Sequence, residues 1–177
     1  KSQVKSNTTK ENKGITIMAL ETGQKLPDAT IHQMVDGKIT ETSLLEWSSR
    51  RKVVLIALPG AFTPTCSARH LPGYVDHADE FAPKGVDAIG CIAVNDIHVM
   101  TAWGKTSGAE GKIDMLGDPF GAACHAMGID VVSTPVLGNN RAARMALVAE
   151  DGVITQLYME KPSAFQVSAA EHVLARL

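Results

Sequence analysis

Two apolar runs restrict this chain more than any other feature. Residues 53–58, "VVLIAL", carry no polar side chain and lie between Arg51-Lys52 and Pro59-Gly60. Residues 86–94, "VDAIGCIAV", follow Lys84-Gly85 and are nearly as apolar. Runs of this length without alternation are strands covered on both faces, which requires helices above and below the sheet. Residues 66–81 between them read as a helix interrupted near Pro72-Gly73. Strand, helix, strand then predicts a parallel pair joined by a right-handed crossover.

The rest of the chain fits around that unit. "ATIHQMV" and "KITET" flank Asp36-Gly37, a two-residue hairpin signal, and Ser43 with Glu46 forms a capping box for a short helix through Trp47. A helix is expected from Asn95-Asp96 through "HVMTAW", and another in "DPFGAACHAMG". "MALVAE" and "VITQLYM" around Asp151-Gly152 predict an antiparallel hairpin. Ser168 and Glu171 make a second capping box, for a C-terminal helix burying Val173, Leu174 and Leu177. The expected order is β-β-α-β-α-β-α-β-β-α, a single α/β domain over residues 18–177. Residues 1–17 are polar and lysine-rich and read as a flexible arm or tag, with Met18-Ala19 resembling a natural start.

Composition narrows the partners. The 177 residues carry a net charge of −2 with scattered basic side chains, so neither nucleic acid nor a membrane surface is indicated. No apolar stretch approaches the roughly 18 residues that span a bilayer, and a soluble, intracellular protein is expected. Cys66, Cys91 and Cys124 form an odd set without a C-x-x-C pair, which suits reduced thiols in a cytosol-like compartment. Gly104-Lys105-Thr106 imitates the end of a phosphate-binding loop, but position 99 is valine and a helix precedes it. His70, His77 and the acidic residues of 76–80 lack a His-x-x-x-His pair, and no metal is expected.

Cys66 stands out by its position. It follows a buried strand within "ALPGAFTPTCSARHLPG" and falls in the first turn of the next helix, where unpaired amides and the helix dipole favour an anion. An ordinary thiol is only about 3% thiolate at pH 7, so nucleophilic chemistry needs such help. Pro59 and Pro64 stiffen the loop, and the Thr63 hydroxyl can turn back towards the sulfur. The backbone N–H groups of Thr65 and Cys66 are candidate donors to a bound oxygen. A buried structural cysteine is the competing reading.

The pattern Pro59-x-x-x-Thr63-x-x-Cys66 resembles the active-site motif of the peroxiredoxins, and "PGAFTPTCS…HLPG" is similar to their atypical type II, or peroxiredoxin-5, subfamily. The resemblance continues through "GVDAIGCIAVND", "AWGK", "LGDPFGA" and "GNNRAARMALVAEDGVI" and covers essentially residues 20–177. It implies a thioredoxin-like fold, a central mixed sheet flanked by helices with an N-terminal β-hairpin extension. It further implies a thiol peroxidase acting on hydrogen peroxide and alkyl hydroperoxides, with no cofactor and a homodimeric state. Cys66 would be the nucleophile, Thr63 the hydroxyl that orients peroxide and Pro59 the shield of the sulfenic acid. Arg144 would be the active-site arginine, while Arg141 is expected to be a surface residue. His70 falls to a structural or supporting role.

The resemblance also exposes a gap. Val167 occupies the position where animal members carry a resolving cysteine, and Cys91 the position where plant type II members carry one. Cys91 lies mid-strand and Cys124 matches no resolving position, so glutathione with glutaredoxin is the expected reductant and thioredoxin the alternative. A peroxide-sensing module that passes its oxidation to a partner protein is the rival function. The cytoplasm, or an organelle such as the mitochondrion, is the expected location.

Overall fold

The computed structural model describes residues 20–131 and 135–177. The expected arm 1–17 and the Met18-Ala19 start lie outside the described residues. The chain opens with strands β1 (Thr30–Val35) and β2 (Lys38–Ser43), paired antiparallel so that Val35 faces Lys38 across the turn. Asp36 and Gly37 both take positive φ, 49° and 74°, as the tight hairpin turn anticipated from Asp-Gly requires. Helix α1 (Leu44–Ser48) follows, and the Ser43 hydroxyl accepts the Glu46 N–H at 3.1 Å as its cap.

Strand β3 (Lys52–Ala57) is the expected buried strand, with Val53, Val54, Leu55, Ile56 and Ala57 all fully buried. A π-helical turn (Cys66–His70), α2 (Leu71–Asp76) and α3 (Ala78–Phe81) carry the chain to β4 (Ala88–Ala93), which pairs parallel with β3. Helix α4 (Ile97–Thr106) is capped by Asp96, whose carboxylate accepts the N–H groups of His98 and Val99. Then come β5 (Asp114–Gly117), α5 (Ala122–Ala126) and a two-stranded ribbon of β6 (Asp130–Val131) and β7 (Arg141–Ala142). The chain ends with the hairpin β8 (Met145–Glu150) and β9 (Val153–Met159), then α6 (Ala170–Leu174). Seven strands form one mixed sheet in the order β2-β1-β5-β4-β3-β8-β9.

Strand alternation divides the core in two. Val54, Ile56, Cys91, Ala146 and Val148 face Cys66, Leu71, Tyr74, Phe81, Trp103 and Val173. Val53, Leu55, Ile92 and Leu147 face Leu44, Trp47, Ala123 and Cys124 on the other side. Each large aliphatic side chain so buried contributes about 1.5–3 kcal/mol, so β3 is expensive to disturb.

Three expectations need correction. The helix after Cys66 does not break at Pro72-Gly73; proline sits in the first turn of α2, where its missing N–H is no loss, and the break falls at His77. Ser168 does not cap α6, because its hydroxyl is committed to the Glu160 carboxylate and Ala169 takes the cap position. Strand β5 departs from the expected element order: "DMLG" is too short for a periodic signal and is fixed by pairing with β4 on one side and β1 on the other.

Gly90, in β4, lies against Trp47: a Cβ there would stand 2.6 Å from the indole. Gly90→Ala is expected to cost about 1–3 kcal/mol through overpacking, read as a lower urea midpoint at unchanged slope.

Candidate active site

The loop leaving β3 builds the site. Phe62, at φ 61°, reverses the chain, and the Thr63 carbonyl accepts the Ser67 N–H at 3.0 Å, opening the helical turn that carries Cys66. Pro64 has no N–H to leave unsatisfied, and the amides of Thr65 and Cys66 belong to the first turn, which has no intrahelical acceptors for them. The chain then widens into a π turn, with the Leu71 N–H bonded to the Cys66 carbonyl. The Trp103 indole N–H donates to Ser67 Oγ at 3.0 Å, tying this turn to α4.

Two side chains brace the loop from outside. Asn95 Oδ1 accepts the Ala61 N–H at 2.9 Å, and Arg141 donates to the carbonyls of Pro59 at 3.3 Å and Leu137 at 3.1 Å. A Cβ on Gly60 would stand 2.7 Å from Arg141 Nη1 and would push this guanidinium aside. Arg141 is therefore half-buried and structural, which corrects its assignment as a surface residue. A sequence shows a second arginine in the run but not the carbonyls it reaches.

Cys66 is 1% exposed, and its sulfur accepts a hydrogen bond from Arg144 Nη2 at 3.4 Å. The same guanidinium donates through Nη1 to His70 Nδ1 at 3.0 Å. His70 Nε2 donates in turn to the Ser168 carbonyl at 3.2 Å. Arg144 has no proton to lose, so His70 Nδ1 must be the acceptor and His70 the neutral Nε2–H tautomer. Burial pushes the His70 pKa down to about 3, the Arg144 charge acts in the same direction, and the Ser168 bond opposes both. A fixed cation thus rests on the sulfur.

Comparison with known proteins fits this arrangement. Residues 21–174 match the Redoxin family. Over 166 residues the chain is 41% identical to chloroplastic peroxiredoxin-2E-2 of Oryza sativa subsp. japonica, covering 91% of this chain and 74% of the relative. The chain belongs to the peroxiredoxins. Reduced Prx3 of Vibrio vulnificus, in complex with H2O2, superposes with a TM-score of 0.85 at 42% identity, covering 89% of this chain and 98% of that one. Peroxiredoxin 5 of Alvinella pompejana gives 0.77 at 34% identity, covering 88% and 96%. The fold is accordingly thioredoxin-like, and the chain is a thiol peroxidase of the oxidoreductase class.

Within this peroxiredoxin the anticipated residues separate. Thr63, Cys66 and Pro59 share one loop, and Arg144 reaches it from the end of the run that joins β7 to β8. The Thr63 hydroxyl proton goes to the Gly60 carbonyl at 2.7 Å, which leaves its oxygen an acceptor. Cys91 lies in β4 on the Cys66 side of the sheet, fully buried, and its thiol is pushed up chiefly by burial and further by Cys66. Cys124 lies across the sheet; burial, then Asp118, pushes its thiol up. Among the described residues no helix is long and apolar enough to cross a membrane.

Phe165 carried no sequence signal. Its ring lies 5.1 Å from that of His70, with the guanidinium carbons of Arg69 and Arg144 at 4.8 and 5.9 Å. A cation and a neutral imidazole under one aromatic cover form a site shielded from water.

The neutral His70 has a measurable consequence. Unfolded chains bind its proton near pH 6.5, whereas the folded chain refuses it until about pH 3. Its stabilising contribution is therefore complete above pH 6.5 and lost as pH falls through that window, at up to about 1.4 kcal/mol per pH unit. Urea unfolding between pH 6.5 and 4.5 should show a steeper loss for the wild type than for His70→Gln.

Proposed function

We propose that Cys66 is the peroxidatic nucleophile, and the observation that carries this is the Arg144 guanidinium on its sulfur at 3.4 Å. The thiolate attacks the distal oxygen of a hydroperoxide; an S–O bond forms as the O–O bond breaks, and two electrons pass from sulfur to peroxide. The alkoxide or hydroxide that leaves takes a proton and departs as alcohol or water, while Cys66 becomes a sulfenic acid. Arg144 faces both the attacking sulfur and the charge developing on the leaving oxygen. The amides of Thr65 and Cys66 are further donors to peroxide.

Thr63 takes its place in this reaction as an acceptor, because its own proton is held by Gly60. It orients a peroxide O–H, and Pro59 walls the pocket from solvent. The Vibrio vulnificus Prx3 structure with H2O2 supports hydrogen peroxide as one substrate.

We infer that glutathione with glutaredoxin is the reductant, with thioredoxin as the alternative. A thiol attacks best as its anion, and Cys91 is fully buried with its thiol pushed up. Glutathione attacks the sulfenic sulfur to release water and form a mixed disulfide, and a second glutathione then restores the thiol and leaves as the disulfide. The chain works in this reading as a homodimer in the cytoplasm or an organelle.

Cys66→Ser is expected to abolish peroxide turnover with glutathione and glutaredoxin, while Cys91→Ser and Cys124→Ser keep most of it. Full activity in the first variant overturns the assignment, and loss in the second makes Cys91 a resolving thiol. Arg144→Gln should slow oxidation of Cys66 by hydrogen peroxide by about 100-fold, measured on the reduced enzyme by stopped flow.

A further inference from the structure

The segment between β9 and α6 is held to the site by one carboxylate. The Glu160 N–H donates to the Arg144 carbonyl at 3.1 Å, so the segment starts from the backbone of the arginine that meets Cys66. Glu160 Oε1 then accepts three donors from the far end of the segment: the Gln166 N–H at 2.6 Å, the Ser168 N–H at 2.8 Å and Ser168 Oγ at 2.9 Å. No lysine or arginine forms an ion pair with Glu160 among the described residues. Its charge is spent on closing this loop.

What the closed loop holds is the Ser168 carbonyl. That oxygen accepts from both His70 Nε2 at 3.2 Å and the Tyr74 hydroxyl at 2.8 Å. With Nε2 donating, Nδ1 must accept, and it accepts from Arg144 Nη1. The guanidinium is planar, so fixing Nη1 on His70 also fixes where Nη2 points, which is at Cys66 Sγ. Phe165, inside the same loop, is carried over His70 and Arg144 by the same closure.

We propose that Glu160 is a positioning residue for peroxide reduction: by gathering residues 166–168 it sets the Ser168 carbonyl, through it the His70 tautomer, and through that the direction of the Arg144 guanidinium. The proposal rests on the reading of Cys66 as the peroxidatic nucleophile. Burial raises the Glu160 pKa, but the bonds from Ser168 and Gln166 outweigh it and leave the carboxyl below its ordinary value, in keeping with a carboxylate that binds its donors as an anion.

The test compares Glu160→Ala, Glu160→Gln and Ser168→Ala in the full chain, all reduced, with two readouts. One is the rate of Cys66 oxidation by hydrogen peroxide in a single turnover; the other is the His70 tautomer, from the nitrogen chemical shifts of the ring. Glu160→Ala should slow oxidation about tenfold or more and replace the single Nε2–H tautomer by a mixture. Glu160→Gln, which keeps an acceptor oxygen, should stay within about threefold of wild type with one tautomer, and Ser168→Ala should fall between. A wild-type rate and a single tautomer in Glu160→Ala overturn the proposal, as does an equal loss in the Gln variant. If Glu160→Ala does not fold, an unaltered rate and tautomer in Ser168→Ala overturn it instead. Failure of the underlying reading would look different: Cys66→Ser would keep its turnover, while the His70 tautomer would still respond to Glu160.

Discussion

Everything in the site depends on one guanidinium having two neighbours. Arg144 donates to the Cys66 sulfur with one nitrogen and to His70 with the other. A flexible cation beside a thiol would lose much of its effect to water and to rotation, whereas here both ends of the fork are occupied. The histidine can accept only because it stays neutral, and it stays neutral because it is buried beside that same positive charge. The arginine thus helps to maintain the partner that orients it.

The fold supplies the distance relations that make this possible. Strand β3 delivers the Cys66 loop, β8 lies next to it in the sheet, and Arg144 immediately precedes β8. Antiparallel pairing of Ala57 with Met145 puts the end of one strand beside the start of the other. The loop and the arginine meet because two fully buried strands are locked in register, and register on a sheet covered on both faces cannot slip without exposing a core.

Much of this was legible in the sequence. The apolar runs, the two Asp-Gly turns and the Ser43 and Asp96 caps each express a local rule, and each local rule held. The Pro-x-x-x-Thr-x-x-Cys loop was legible for the same reason, since its residues are close in the chain. What could not be read are relations between distant segments. Strand β5 exists by pairing, Arg141 is structural because of carbonyls on two other loops, and Ser168 abandons its helix cap for Glu160. A capping box and a carboxylate clamp use the same serine, and only the packed chain decides between them.

The Ser168 carbonyl has a meaning for how the protein is made. It follows Cys66 by about a hundred residues in the chain, yet both belong to one hydrogen-bond network that runs through His70 and Arg144. A growing chain therefore carries the thiol long before it carries the groups that orient its arginine. The hydrogen-bond network around Cys66 can therefore be complete only once residues 160–168 have joined the fold.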